Sequence, residues 1–208
     1  MLKLERHVVS ASRVDRVFSP TCGCPTRKAR LAVTLSEGDT IDAAIVASDG
    51  RDVRSLVTGL ARPAGVVPLV WDGRDDRRAV VPDGTYRLRI RLHSERRTIE
   101  LRRRIRVDTR PPVVAVVSVR PRVVASRRGS SAPVVVVYRT SELSRPLLLV
   151  DGTAAARGRF VAPGTRSLAW RGKIGGRPLR RGRHELVLRV RDRAGNVALA
   201  RPVSLRAR

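Results

Sequence analysis

Lysine is nearly missing from this sequence. Of 44 basic residues only Lys3, Lys28 and Lys173 are lysine, and the other 41 are arginine. Aromatic residues make up 3% of the 208 positions, too few to supply the stacking platforms that hold single-stranded nucleic acid. No run approaches the ~18 apolar residues a transmembrane helix needs. The opening Met1–Val9 has neither the apolar core nor the cleavage site of a signal peptide. Helical periodicity is also scarce, which excludes a coiled coil.

Two cysteines, Cys22 and Cys24, stand one glycine apart. That spacing is too short to staple distant parts of a domain. His7, His93 and His184 fall at no metal-motif spacing, so four zinc ligands are not on offer. The pair is expected to be loop residues that cap the start of a strand.

What the chain does have is valine, leucine and arginine. Thirty-one Val and 20 Leu stand against 6 Ile, and apolar residues total 42%, ordinary globular usage rather than that of a disordered basic tail. The formal charge of +26 attracts polyanions non-specifically. The charge runs through nearly every segment, and arginine comes with much Ala, Val, Gly and Pro. A GC-rich coding bias accounts for that mixture without a binding role.

Period-two alternation is frequent. Tyr86, Leu88, Ile90 and Leu92 fall on one side of a strand, with Arg87, Arg89 and Arg91 expected in water on the other. Residues 184–191 repeat the pattern with Leu186, Leu188 and Val190 inward. Trp71-Asp72-Gly73 is echoed by Trp170-Arg171-Gly172, and Ile45–Gly50 by Leu148–Gly152, at an offset of about 97–102 residues. Two units therefore follow one another, split near Pro111-Pro112, a pair that cannot donate ladder hydrogen bonds.

Seven short strands are expected in each unit, near 14–18, 30–35, 41–48, 53–57, 66–70, 85–93 and 98–107, then 113–120, 133–139, 146–150, 157–161, 166–169, 184–191 and 197–206. The fold class is all-β: two tandem immunoglobulin-like antiparallel β-sandwiches. The expected organisation is an N-terminal extension over 1–12, one sandwich over 13–110 and a second over 111–208. Trp71, Trp170 and Tyr86 are the expected core anchors.

Phe18-Ser19-Pro20, Leu31–Leu35, Asp49–Leu56, Trp71–Asp75 and Val81–Tyr86 together resemble the flagellar hook-capping (FlgD-type) immunoglobulin-like domain. The likeness covers about 90 residues of the first unit. The second unit keeps Asp151-Gly152, Trp170-Arg171-Gly172 and Gly182, with Arg171 in place of aspartate and His184 where the first has Tyr86. The resemblance implies a sandwich that serves as spacer, assembly or attachment module in bacterial secreted or cell-surface proteins, without an active site. Extracellular or cell-envelope placement follows from the resemblance. The lack of a visible signal peptide leaves the cytoplasm open. The hook-cap role is not implied, because only the sandwich is matched.

Candidate chemistry is sparse. Asp72, Asp75, Asp76 and Asp83 could offer oxygen ligands, but their spacing is not that of a calcium loop, and turn capping is the expected job. Asp192, Gly195 and Asn196 read as an Asx-type hairpin turn. No Gly-x-Ser-x-Gly or phosphate-gripping loop is present, so neither an enzyme nor a cofactor is expected. The arginine clusters Arg102-Arg103-Arg104, Arg127-Arg128 and Arg180-Arg181 are the expected anion contacts. The expected partner is a protein or an anionic cell-surface polymer, with no specific nucleic-acid recognition. The alternative is a basic polyanion- or nucleic-acid-binding protein of the cytoplasm.

Overall fold

The computed structural model describes residues 9–125 and 133–208. The chain divides into two compact units, Met1–Thr109 and Arg110–Arg208.

In the first unit a three-stranded sheet holds β1 (Val9–Val14), β3 (Ala29–Leu35) and β6 (Gly65–Trp71) in the order β1-β3-β6. A five-stranded sheet holds β2 (Val17–Phe18), β8 (Arg97–Val107), β7 (Gly84–Leu92), β4 (Asp39–Ala47) and β5 (Asp52–Arg62), in that order. Strand β1 begins at Val9, inside the stretch read as an extension, and pairs with β3 from Val9↔Leu35 onward.

The second unit repeats the plan. β9 (Val114–Arg120), β11 (Val134–Thr140) and β14 (Gly164–Trp170) form one sheet. β10 (Val123–Val124), β19 (Val203–Ala207), β17 (Gly182–Asp192), β12 (Ser144–Val150) and β13 (Thr153–Arg157) form the other, with β18 (Val197–Leu199) also on β17. A small hairpin, β15 (Lys173–Ile174) and β16 (Arg177–Pro178), lies between β14 and β17. Both units are all-β sandwiches, and the duplication read from the sequence reappears as matching topology. In each, one short strand pairs in parallel with the last strand, β2 with β8 and β10 with β19.

Several strand boundaries differ from the expected ones. Residues 14–18 are two strands, because the chain leaves one sheet after Val14 and joins the other at Val17. The strand expected at 53–57 runs on to Arg62, accommodated by register shifts against β4. The strand expected at 157–161 lies instead at Thr153–Arg157, directly after the tight Asp151-Gly152 turn. Gly158 ends it, its N–H donating to the Pro146 carbonyl. Residues 197–206 are broken before Pro202, which has no N–H to give the ladder.

The strands bury alternate side chains, as a half-wet sheet must. Trp71 is 0% exposed, Trp170 3% and Tyr86 6%. Trp71 stands edge-on between Phe18 and Tyr86, with centroids 5.4 and 5.0 Å away. Its Nε1–H donates to the Arg74 carbonyl at 3.0 Å, and Trp170 makes the equivalent bond to Lys173 at 2.8 Å.

A further anchor of the second core is Tyr138 on β11, which escaped the sequence reading within a run of valines. Its ring is fully buried, and its hydroxyl has no hydrogen-bond partner among the described residues. Burial raises the pKa of that phenol. A buried hydroxyl without a partner costs about 1–3 kcal/mol of desolvation. Tyr138→Phe is therefore expected to stabilise the second unit by about 1 kcal/mol, read as a higher urea midpoint. A loss of stability would show that the hydroxyl is satisfied in solution.

Candidate anion-contact surfaces

Strand β8 explains why three consecutive arginines can all face water. A regular strand would turn the middle one inward. Between Arg87↔Arg104 and Arg89↔Glu100 the register shifts, so that Leu101, Arg102 and Arg103 lie opposite the single residue Leu88. This bulge keeps Leu101 and Ile105 in the core and leaves Arg102, Arg103 and Arg104 exposed. None of the three has an ion-pair partner among the described residues.

Arg103 and Arg104 share a surface depression with Val14 and Arg16, where the chain crosses from β1 to β2. The backbone fixes this junction, since the Arg106 N–H donates to the Arg16 carbonyl at 2.9 Å. The second unit has the same construction. Arg122, at the crossing from β9 to β10, accepts the Arg206 N–H at 2.9 Å. Arg122, Arg183 and Arg206 line a depression there with Ser204 and Leu205. Sequence reasoning missed Arg16, Arg122, Arg183 and Arg206, which stand singly among 41 arginines. The signal that could have found them is the repeat itself, which sets Arg16 against Arg122 and Arg106 against Arg206.

Other predicted residues fall elsewhere. Arg180 and Arg181 are exposed in the turn before β17. Arg127 and Arg128 lie outside the described residues. Arg87 and Arg89, expected free in water, are half-buried and ion-paired. Arg89 contacts Asp52, Glu100 at 3.1 Å and the Gly50 carbonyl at 2.7 Å, while Arg87 lies 3.6 Å from Glu100. Only Arg91 of that face is exposed.

Of the acidic residues expected to cap turns, Asp72 and Asp75 do so locally, whereas Asp76 and Asp83 tie down segments 21 and 26 residues away. Asp72 accepts the Arg74 N–H, Asp75 the Ala79 N–H and Asp76 the Ser55 N–H, at 3.2, 2.9 and 3.0 Å. Asp83 accepts both the N–H and the hydroxyl of Thr109. Asp192 accepts the Gly195 and Asn196 N–H groups at 2.6 and 2.9 Å, an Asx-type closure.

His184 occupies the place of Tyr86 and does part of its work. The Tyr86 hydroxyl donates to the Pro82 carbonyl four residues back at 2.7 Å, and His184 Nε2 meets the Arg180 carbonyl at 2.8 Å. Its Nδ1 lies 2.6 Å from Asp151 Oδ2. Both ring nitrogens therefore face acceptors, which favours imidazolium. Burial pulls the His184 pKa down, but the bonds to Asp151 and Arg180 outweigh it and the net direction is up. Asp151 is lowered, chiefly by the His184 bond and against some burial.

A raised histidine contributes stability that is fully present below its unfolded pKa of about 6.5 and is lost as pH rises through the higher folded value. Asp151 contributes above about pH 3.9, and that part is lost as pH falls through its lowered folded value. The melting temperature of the second unit is thus expected to fall as pH rises above about 6.5, and His184→Phe to flatten that slope. An unchanged slope in the variant would show that the imidazole is not responsible.

No protein-family model matches the chain, and no curated protein matches it. Among solved structures, the fibronectin(III)-like modules of Clostridium thermocellum CbhA are similar over 96% of this chain and 92% of that one, at 16% identity and a TM-score of 0.48. A tetra-tandem repeat from the extending region of a large adhesion protein is similar over 95% and 48%, at 18% identity and 0.34. The BSP domain of a biofilm associated protein is similar over 96% and 30%, at 16% identity and 0.31. The chain spans less than half of the last two.

The strand order defines the class: an all-β chain of two tandem sandwiches of immunoglobulin-like type. Among the described residues no helix is long and apolar enough to cross a membrane.

Proposed function

We propose that this chain is a structural and interaction module of a bacterial secreted or cell-envelope protein, and that it holds an anionic polymer through arginine-lined depressions. One observation carries the reading: in both units the same junction, floored by the same backbone hydrogen bond, presents arginines that are unpaired among the described residues. Arg102, next to Arg103 on β8, is exposed as well, and Arg180 and Arg181 lie in the turn just before Gly182 and Arg183 of the second. The finer assignment, to the FlgD-type domain, is supported in the first unit by the contacts among its sequence words. Trp71 meets both Phe18 and Tyr86 edge-on there. A Cys22–Cys24 disulfide suits an oxidising compartment.

Cytoplasmic nucleic-acid binding is the weaker reading. Of the six aromatic side chains only Phe160, at 39%, is exposed, so bases have almost nothing to stack on.

The test is affinity for synthetic poly(glycerol phosphate) and for duplex DNA across a salt series. Binding to the polymer is expected to weaken steeply with salt, and Arg103→Glu with Arg104→Glu to reduce the log–log salt slope by about 2. DNA binding that persists at about 0.3 M salt would overturn the proposal.

A further inference from the structure

Cys22 and Cys24 correct the expectation that they are merely loop residues: they are joined to each other in a disulfide, with Cα atoms 5.2 Å apart. The bond closes a ring around Gly23 alone, and Gly23 adopts φ +59°, which a side chain would resist. It sits in the connection from β2 to β3, with both cysteines half-exposed.

Such a bond has little to do with holding the sandwich together. The entropy a disulfide removes from the unfolded chain grows with the loop it closes, and this loop is minimal. The connection is already closed by backbone hydrogen bonds. Ser19 N–H donates to the Thr26 carbonyl at 3.3 Å, Cys22 N–H to Ser19 at 3.4 Å and Arg27 N–H to Cys24 at 3.1 Å. None of the three involves a sulfur atom.

The two sulfurs differ in surroundings. Cys24 Sγ is 3.0 Å from the Thr26 hydroxyl, whereas Cys22 Sγ is 4.0 Å from it. Cys24 also lines a depression shared with Arg27, Lys28 and Arg30. A hydroxyl donor and neighbouring cations stabilise a thiolate, and the more stable thiolate leaves faster in exchange.

We propose that Cys22–Cys24 is a redox-exchange site, reduced and re-formed by dithiol partners while the fold stays intact. A thiolate of the dithiol attacks Cys22 Sγ, forms a new S–S bond there and expels Cys24 as thiolate. The second thiolate of the dithiol then attacks its own sulfur in that mixed disulfide and expels Cys22. Two electrons pass to Cys22 and Cys24, which take up two protons from the dithiol and solvent, and the dithiol becomes a disulfide. The reverse sequence oxidises the pair at the expense of a partner disulfide. The inference is independent of the anion-contact reading, since no arginine of the two depressions takes part.

The experiment uses the full oxidised chain with dithiothreitol or glutathione in native buffer, quenched with an alkylating agent and read by mass. Dithiothreitol is expected to make both cysteines alkylatable with the melting temperature unchanged. At equal thiol concentration glutathione is expected to reduce the pair less completely, because the Cys24 thiolate expels it from the mixed disulfide. Cys24→Ser is expected to retain glutathione on Cys22, and Thr26→Val to slow reduction about threefold by removing the hydroxyl donor. Reduction that occurs only where denaturant unfolds the first unit would overturn the proposal, as would two thiols open to alkylation before any reductant is added. An unchanged rate in Thr26→Val would overturn Cys24 as the leaving sulfur. Equal reduction by glutathione would overturn the dithiol as partner.

Discussion

Trp71→Ala is expected to destabilise the first unit by about 3–5 kcal/mol. The indole is fully buried, and its removal leaves a cavity that the rigid strands around it cannot close. It also strands the edges of Phe18 and Tyr86, contacts worth about 0.5–1.5 kcal/mol each beyond area burial. The Arg74 carbonyl loses its donor as well. At about 4–8 °C per kcal/mol for a domain of this size, the first unit should melt more than about 10 °C lower. Trp170 becomes the sole indole in this variant, so fluorescence then follows the second unit alone while circular dichroism follows both. An unchanged dichroism melt would show that Trp71 does not anchor the core.

Gly73→Ala is the second large effect, at about 2–4 kcal/mol. Gly73 has φ +72°, a conformation costing an L-residue about 1 kcal/mol or more. A Cβ there would lie 2.8 and 2.9 Å from the Pro20 ring and 3.1 Å from Phe18, and overpacking of this kind costs about 1–3 kcal/mol. Gly50 is the control. Its φ is +85°, but a methyl group added there would meet nothing within 4 Å, so Gly50→Ala should cost only about 1 kcal/mol. Equal urea midpoints for the two variants would show that Pro20 does not pack on Gly73.

These two sites also show what can be read from the chain alone. Phe18-Ser19-Pro20 and Trp71-Asp72-Gly73 are separate words in the sequence, and in the fold they touch, Pro20 lying on Gly73 and Phe18 on Trp71. Their co-occurrence was legible before their contact was. Strand β7 was legible for a simpler reason, since Tyr86, Leu88, Ile90 and Leu92 repeat over enough residues to define a period. Strands β2 and β10 have two residues each, too short for any period, and exist because the last strand offers an edge.

The charge was legible in number and much less in placement. The run Arg102-Arg103-Arg104 signalled exposure, but its neighbour Arg16 comes from the other end of the unit. Arg89 is neutralised by Asp52 and Glu100, 37 and 11 residues away in sequence, which alternation cannot reveal. The short cysteine spacing was rightly read as unable to tie distant strands, yet it still permits a local bond.

The parallel edge pairing has a consequence under load. In each unit a strand near the beginning runs alongside the final strand and in the same direction. Tension applied at the two ends of a unit therefore slides one past the other instead of peeling them apart. In the first unit the bonds from Arg106 to Arg16 and from Asp108 to Phe18 lie across that motion. In the second, the bonds from Arg206 to Arg122 and from Arg208 to Val124 do the same. They must yield together, so the barrier to forced opening is set by this small clamp more than by the equilibrium stability of the core.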